Sequence, residues 1–323
     1  MTGTRAVEAS RGDSAGAARD APILVTGSHR SGTTWAASML ALAPGTVLVD
    51  EPFHVRLPRR ELTRPRDRVL GARQYGLGGL ARHWFTWAPA LPPGPARRAF
   101  ERVLEGRTRR VFRRRDPRHW LPWRRRGRLI IKDPLACLSS EWIADGFGVR
   151  VLVLVRHPAA FAASLKRLGW SFGFEDFRAQ PALLEAHLAP YRADIESPPS
   201  DIVDQAGLVW TCLYAVLSAY LERHPEWLVR THEALSLDPM AEFRGLYDAL
   251  GLAWTPDVAR GIAEHTGAGN PVAAPEGVVH ELRRDSRANV RRWKEVLGPD
   301  EVERLRRRTA PVADRFYGPE DWA

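Results

Sequence analysis

Residues 22–42, P-I-L-V-T-G-S-H-R-S-G-T-T-W-A-A-S-M-L-A-L, limit the fold of this 323-residue chain more than any other stretch. Ile23-Leu24-Val25 is a short apolar run of the length expected for a buried parallel strand. The turn Gly27-Ser28-His29-Arg30-Ser31-Gly32 follows, and residues 33–42 then carry an apolar helical pattern. Strand, glycine-bracketed turn and helix form the layout of an anion-binding loop. In such a loop, converging backbone N–H groups and the positive end of the helix dipole face the ligand. Gly27 and Gly32 have the G-x-x-x-x-G spacing of the nucleoside-triphosphate loop. The next residue, however, is Thr33 where that loop has lysine, and the cation comes earlier, at Arg30. The loop suits a phosphate and is poorly matched to Mg-ATP.

Further strands are expected on the same logic. Thr46-Val47-Leu48-Val49 ends at Asp50-Glu51-Pro52-Phe53-His54-Val55. Glu51 therefore stands at the C-terminal end of a parallel strand, where open α/β sheets bind ligands. Arg128-Leu129-Ile130-Ile131 ends in Lys132-Asp133-Pro134, and Ser139 reads as the N-cap of a short helix. Residues 149–155, V-R-V-L-V-L-V, make the best buried central strand, ending abruptly at Arg156-His157-Pro158. Pro158 suits the first turn of a helix that places Ser164 eight residues after Arg156. An arginine closing a buried strand can fork onto a phosphate or serve as a structural ion-pair partner. The second half predicts helices over residues 181–195, 201–223, 240–250 and 300–316, with a late strand over 226–231. The apolar stripe of 201–223, including Trp210, Tyr214 and Tyr220, reads as core.

Composition separates one region from the rest. Residues 56–128 hold 22 arginines against five acids, a local +17 in a chain whose total is +10, so the remainder is acidic. Prolines divide this insertion into short helices, and His83-Trp84-Phe85-Thr86-Trp87 and His119-Trp120 lie within it. It reads as solvated arginines on helix faces, or as a cover that draws in an anionic or lipid-like acceptor. No zinc, helix-turn-helix or RNA-binding motif accompanies it, so no nucleic-acid partner is expected. Cys137 and Cys212 lie in apolar patterns and fit a reducing, cytoplasmic setting. Residues 1–20 have no apolar centre and read as a disordered tail, not a signal peptide. No apolar run approaches the roughly 20 residues that span a bilayer. Residues 21–323 read as one domain, and the oligomeric state stays open.

Six short segments carry a resemblance. R-S-G-T-T-W (residues 30–35) resembles the 5′-phosphosulfate loop of sulfotransferases that use 3′-phosphoadenylyl sulfate (PAPS). E-P-F-H-V (51–55) resembles the segment of carbohydrate sulfotransferases whose glutamate takes the acceptor proton. V-x-V-R-x-P-x-x-x-x-x-S, ending at Ser164, resembles the 3′-phosphate segment. Lys132 aligns with the K-T-H of the cytosolic branch, but Asp133 and Pro134 replace Thr and His, so that branch's histidine base is missing. H-E-A-L-S-L-D-P (232–239) resembles the Y-E-D-L-x-x-D-P segment, with His232 in the place of the adenine-contacting tyrosine. Trp293-Lys294 resembles the sequence after the R-K-G loop that closes over the 3′-phosphate, and Arg287 is the candidate for that contact.

The resemblance implies an α/β fold with a P-loop-like central parallel sheet flanked by helices on both sides. It implies sulfuryl transfer from PAPS to a sugar, lipid or natural-product hydroxyl. Because the leaving group is a good one and the sequence has no visible metal-ligand cluster, no metal requirement is expected. Glu51 would be the base, with Arg30 and Lys132 stabilising charge. Arg30, Ser31, Gly32, Thr33, Thr34, Trp35, Arg156, Ser164, His232 and Arg287 would hold the donor. The alternatives are a P-loop kinase, against which Thr33 stands, and a nucleic-acid-binding protein resting on the arginine-rich insertion.

Overall fold

The computed structural model describes residues 20–54, 80–91, 93–108, 127–272 and 282–323. Five strands form one sheet: β1 (Ile23–Gly27), β2 (Thr46–Asp50), β3 (Arg128–Lys132), β4 (Arg150–Val155) and β5 (Leu228–Thr231). Their order is β2-β3-β1-β4-β5 and every pair is parallel. Successive side chains of a strand point to opposite faces. Leu24, Ile131, Val151 and Val153 accordingly enter one core, and Ile23, Val25, Ile130, Leu152 and Leu154 enter the other. Both faces are covered, which is why these strands read as continuous apolar runs and not as alternations.

The second core is closed by α1 (Thr33–Leu40) together with two later helices, Pro239–Leu250 and Pro256–Thr266. On the opposite face lie α2 (Pro93–Leu104), α3 (Ser140–Phe147), α4 (Pro158–Leu168) and the short α5 (Glu175–Arg178), α6 (Pro181–Ala186) and α7 (Arg192–Glu196). With them pack α8 (Ile202–Arg223) and the last long helix, Pro299–Ala313. In chain order the remaining helices are α9 (His232–Leu237), α10 (Pro239–Leu250), α11 (Pro256–Thr266), α12 (Ser286–Asn289) and α13 (Pro299–Ala313). The expected α/β fold, a central parallel sheet with helices on both sides, is the fold observed.

α8 is the spine of the larger core. Asp201 caps it by accepting from the Val203 and Asp204 amides (2.9 and 3.1 Å), and Trp210, Tyr214 and Tyr220 are fully buried. Its 22 residues are long and apolar enough to cross a membrane by length and composition, contrary to the expectation that no run comes near that length. Most of that apolar surface is covered by the rest of the protein, as in the core helix of a folded domain.

Three local expectations are corrected. The helix expected over 181–195 divides into α6, a 3-10 turn (Ala189–Tyr191) and α7, because Pro190 lacks the N–H that a continuous helix needs. Ser139 precedes α3 but makes no capping bond. Its hydroxyl instead donates to the Thr86 carbonyl (2.5 Å) and accepts from the Ala88 amide (3.0 Å), tying the chain before α2 to the core. α11 has no counterpart among the expected helices. The tail at 1–19 and the segments 55–79 and 109–126 of the arginine-rich insertion lie outside the described residues. Cys137 and Cys212 are buried free thiols.

Candidate active site

A cleft of about 330 Å³ opens at the C-terminal ends of the strands. The loop after β1 forms its floor. Gly27 has φ 141°, and a Cβ there would overlap the Leu154 carbonyl of the neighbouring strand. Gly32 has φ 93°, and its Cβ would lie 2.6 Å from the His232 ring. Only glycine combines that backbone with so close an approach. Arg30, between them, also has positive φ (64°). Ser28 anchors the loop: its amide donates to the Tyr214 hydroxyl (3.2 Å), which itself donates to the Leu154 carbonyl (2.8 Å). α1 begins without a side-chain cap, leaving its first amides directed at the cleft, and the Ser31 hydroxyl is buried with no hydrogen-bond partner.

Arg30 and Arg156 meet across 126 residues of sequence. Arg156 Nη1 donates to the Arg30 carbonyl (2.8 Å), and Arg30 Nε donates to the Ser164 hydroxyl (3.2 Å). Arg156 Nε is buried with no partner. Arg167, Arg284 and Arg292 also line the cleft. Burial, then the charges of Arg156, Arg167 and Arg284, hold the Arg30 guanidinium down to about 10. Among the described residues no carboxylate forms an ion pair with Arg30, Arg156 or Arg167. Five arginines converging on one cleft, three of them outside any ion pair, make an anion-binding field.

The opposite wall is built on β2 and β3. Glu51 has positive φ (45°), and its amide donates to the Lys132 carbonyl (2.8 Å). Lys132 Nζ lies 2.6 Å from Asp50 Oδ1 and 2.5 Å from Glu51 Oε1 and is almost wholly buried. Burial alone would lower its pKa, but the two carboxylates outweigh it and the ammonium is held charged. Glu51 Oε2 faces His54 Nε2 at 3.9 Å, and both residues line the cleft beside Trp84. Asp133 accepts from the Phe53, Leu135 and Ala136 amides (2.6, 2.9 and 3.2 Å), so this residue of the Lys132-Asp133-Pro134 string braces the backbone.

A family model described as "Sulfotransferase family" matches residues 22–256. The chain belongs to the sulfotransferase family. Its reaction class is sulfuryl transfer. The sulfotransferase domain of the Synechococcus PCC 7002 olefin synthase has a similar fold, with TM-score 0.50 and 18% identity over 92% of this chain and 94% of that one. A sulfotransferase from Alicyclobacillus acidocaldarius matches with TM-score 0.47 and 16% identity over 94% of this chain and 98% of that one. No curated protein matches the sequence.

In this sulfotransferase, Arg30, Gly32, Thr33, Thr34, Trp35, Glu51, Arg156, Ser164 and His232 all line one cleft, although they come from four separate segments. Ser31 lies buried beneath it. Two expected site residues are placed elsewhere. Lys132 does not line the cleft but sits behind Glu51, clasped by two carboxylates. Arg287 points outward from α12 and is exposed, whereas its neighbours Arg284, Ser286, Asn289 and Arg292 line the cleft.

Sequence reading also passed over His29, Trp84, Arg167 and Trp170 as cleft residues. Arg167 carried a usable signal, since it follows Ser164 by three residues and so shares its helix face. Trp84 carried only a general one, as part of the aromatic run 83–87, because tertiary packing alone brings that segment to Glu51.

Three imidazoles are held neutral. Burial brings His29, His157 and His232 each to about 3, helped at His29 by Arg30 and at His232 by Arg156. A histidine whose folded pKa lies below its unfolded value of 6.5 gives stability that is complete above 6.5 and is lost as pH falls towards 3. Lowering the pH from 7 to 5 is therefore expected to destabilise the protein, approaching about 1.4 kcal/mol per pH unit for each histidine. Denaturant midpoints across that range test this, with His29→Gln expected to flatten the slope. A midpoint that does not move between pH 7 and 5 contradicts neutral burial.

Proposed function

We propose that this sulfotransferase moves the sulfuryl group of PAPS to an acceptor hydroxyl, with Glu51 as general base. One observation carries the reading. The loop that would hold the 5′-phosphosulfate and the Arg156–Ser164 pair that would hold the 3′-phosphate are joined through Arg30, in the cleft that Glu51 also lines. The fit to a two-ended anion rests on two buried polar atoms without partners, the Ser31 hydroxyl and Arg156 Nε, and on the uncapped start of α1. A phosphate oxygen satisfies such groups.

The residues divide the chemistry. Glu51 takes the acceptor proton, which requires a hydroxyl within about 3 Å of its free oxygen. Lys132 holds the other oxygen at 2.5 Å and keeps Glu51 aimed, so its part is positioning and not contact with the sulfuryl group. Arg30 stabilises charge on the sulfuryl and leaving phosphate oxygens. Trp35 and His232, with rings 5.6 Å apart, flank the space for the adenine. The acceptor class stays at a sugar, lipid or natural-product hydroxyl, with the arginine-rich insertion favouring an anionic or lipid-like one. Both core clusters draw on strands far apart in sequence, which supports one domain over residues 21–323. The buried free thiols suit a cytoplasmic setting.

Thermal unfolding with separate additions of PAPS, Mg-ATP and an oligonucleotide tests the reading. A saturating donor at a hundredfold excess over its Kd stabilises by about 2.7 kcal/mol. PAPS is expected to raise the midpoint well above the other two. A shift with Mg-ATP equal to or larger than that with PAPS favours the kinase, which Thr33 in the lysine position opposes.

A further inference from the structure

The segment that presents Arg156 is held by a residue of the 232–239 string that has no role in the proposed chemistry. Glu233, the second residue of α9, makes no ion pair with Arg156, but it lies near enough for its negative charge to favour the charged guanidinium. Its Oε1 accepts from the backbone amide of His157, the residue after Arg156 (3.2 Å), and its Oε2 accepts from the Tyr317 hydroxyl (2.9 Å). The Arg156 carbonyl accepts from Trp210 Nε1 (2.9 Å), so the backbone at this position is fixed from both sides. Tyr317 is buried and its ring meets the His157 ring edge-on at 4.8 Å, while Trp322 meets it at 4.3 Å and Trp293 stacks on it at 5.6 Å. The His157 ring in turn caps α4 by accepting from the Ala159 amide (3.2 Å). The chain after α13 thus locks the segment that presents Arg156.

The need for such a lock is electrostatic. Arg30, Arg167 and Arg156 repel one another, and burial further disfavours the Arg156 charge. Its Nη1 bond to the Arg30 carbonyl fixes one arm, while its Nε is buried with no hydrogen-bond partner among the described residues. Glu233 supplies a restraint through the backbone, by holding the amide of His157, the residue after Arg156. We infer that Glu233, oriented by Tyr317, is a positioning residue that keeps the Arg156 guanidinium aimed at the 3′-phosphate of the donor. This rests on the proposed reading of Arg156 as the 3′-phosphate ligand.

Calorimetric titration of adenosine 3′,5′-bisphosphate and of 5′-AMP into the wild type, Glu233→Gln and Tyr317→Phe separates the possibilities. The wild type is expected to prefer the bisphosphate. Glu233→Gln should weaken the bisphosphate about tenfold and Tyr317→Phe about threefold, with 5′-AMP affinity held within about twofold, as for loss of a charged and a neutral hydrogen bond. A brace for the fold in general would weaken both ligands in parallel, and that result overturns the inference. So does an undiminished, or increased, preference for the bisphosphate in the variants. A wild type that does not discriminate the two ligands overturns the 3′-phosphate reading itself, and the inference with it. Should Glu233→Gln fail to fold, Tyr317→Phe, which removes only a hydroxyl, decides alone.

Discussion

Glu51→Gln is expected to lower kcat by about 10²–10⁴-fold, the contribution of a positioned general base, while donor binding survives. The substitution keeps the size of the side chain but removes the site that accepts the proton. The surroundings make Glu51 the stronger candidate, because the buried Lys132 ammonium at 2.5 Å leaves it one oxygen for the cleft. His54 is the competitor, being 3.9 Å from that oxygen and also on the cleft. His54→Asn is therefore the paired control and should lose much less activity. Near-full turnover in Glu51→Gln beside collapse in His54→Asn makes His54 the base, with Glu51 as the carboxylate behind it. Activity in both variants removes both residues from the role.

Arg156→Ala should cost about 2–4 kcal/mol of donor affinity, the range for losing a charged and partly buried partner. Arg156→Lys should recover only part, since an ammonium cannot fork onto a phosphate as a guanidinium does. The structure sharpens how the result must be read. Arg156 Nη1 also holds the Arg30 carbonyl, so the alanine variant loosens the loop after β1 as well. Some loss will therefore extend to ligands without a 3′-phosphate. The difference between the bisphosphate and its analogue lacking that group isolates the direct contact. Equal losses for both place Arg156 in the scaffold alone.

Much of this was legible in the amino-acid order because it is local. A parallel strand buried on both faces must be apolar throughout, so β1, β3 and β4 announce themselves. The Gly27–Gly32 spacing and the eight residues from Arg156 to Ser164 are likewise properties of one turn and one helix. Charge pairing is not local. Lys132 belongs to Asp50 and Glu51 because β2 and β3 lie side by side in register, Asp50 opposite Lys132, which no reading of either segment alone could decide. Arg284 and Arg292, and not Arg287, face the cleft because of how α12 docks on α9, where the Ser286 hydroxyl donates to the Ser236 carbonyl (2.7 Å). Glu233 and Tyr317 are 84 residues apart and meet only when the chain after α13 folds back on His157. The sequence alone therefore determined the sheet, the loop and the residue types at the strand ends, through burial patterns and turn chemistry. Which charges pair, and which stay free to meet an anion, was decided by tertiary packing, because Coulomb interactions depend on separation in space and not along the chain.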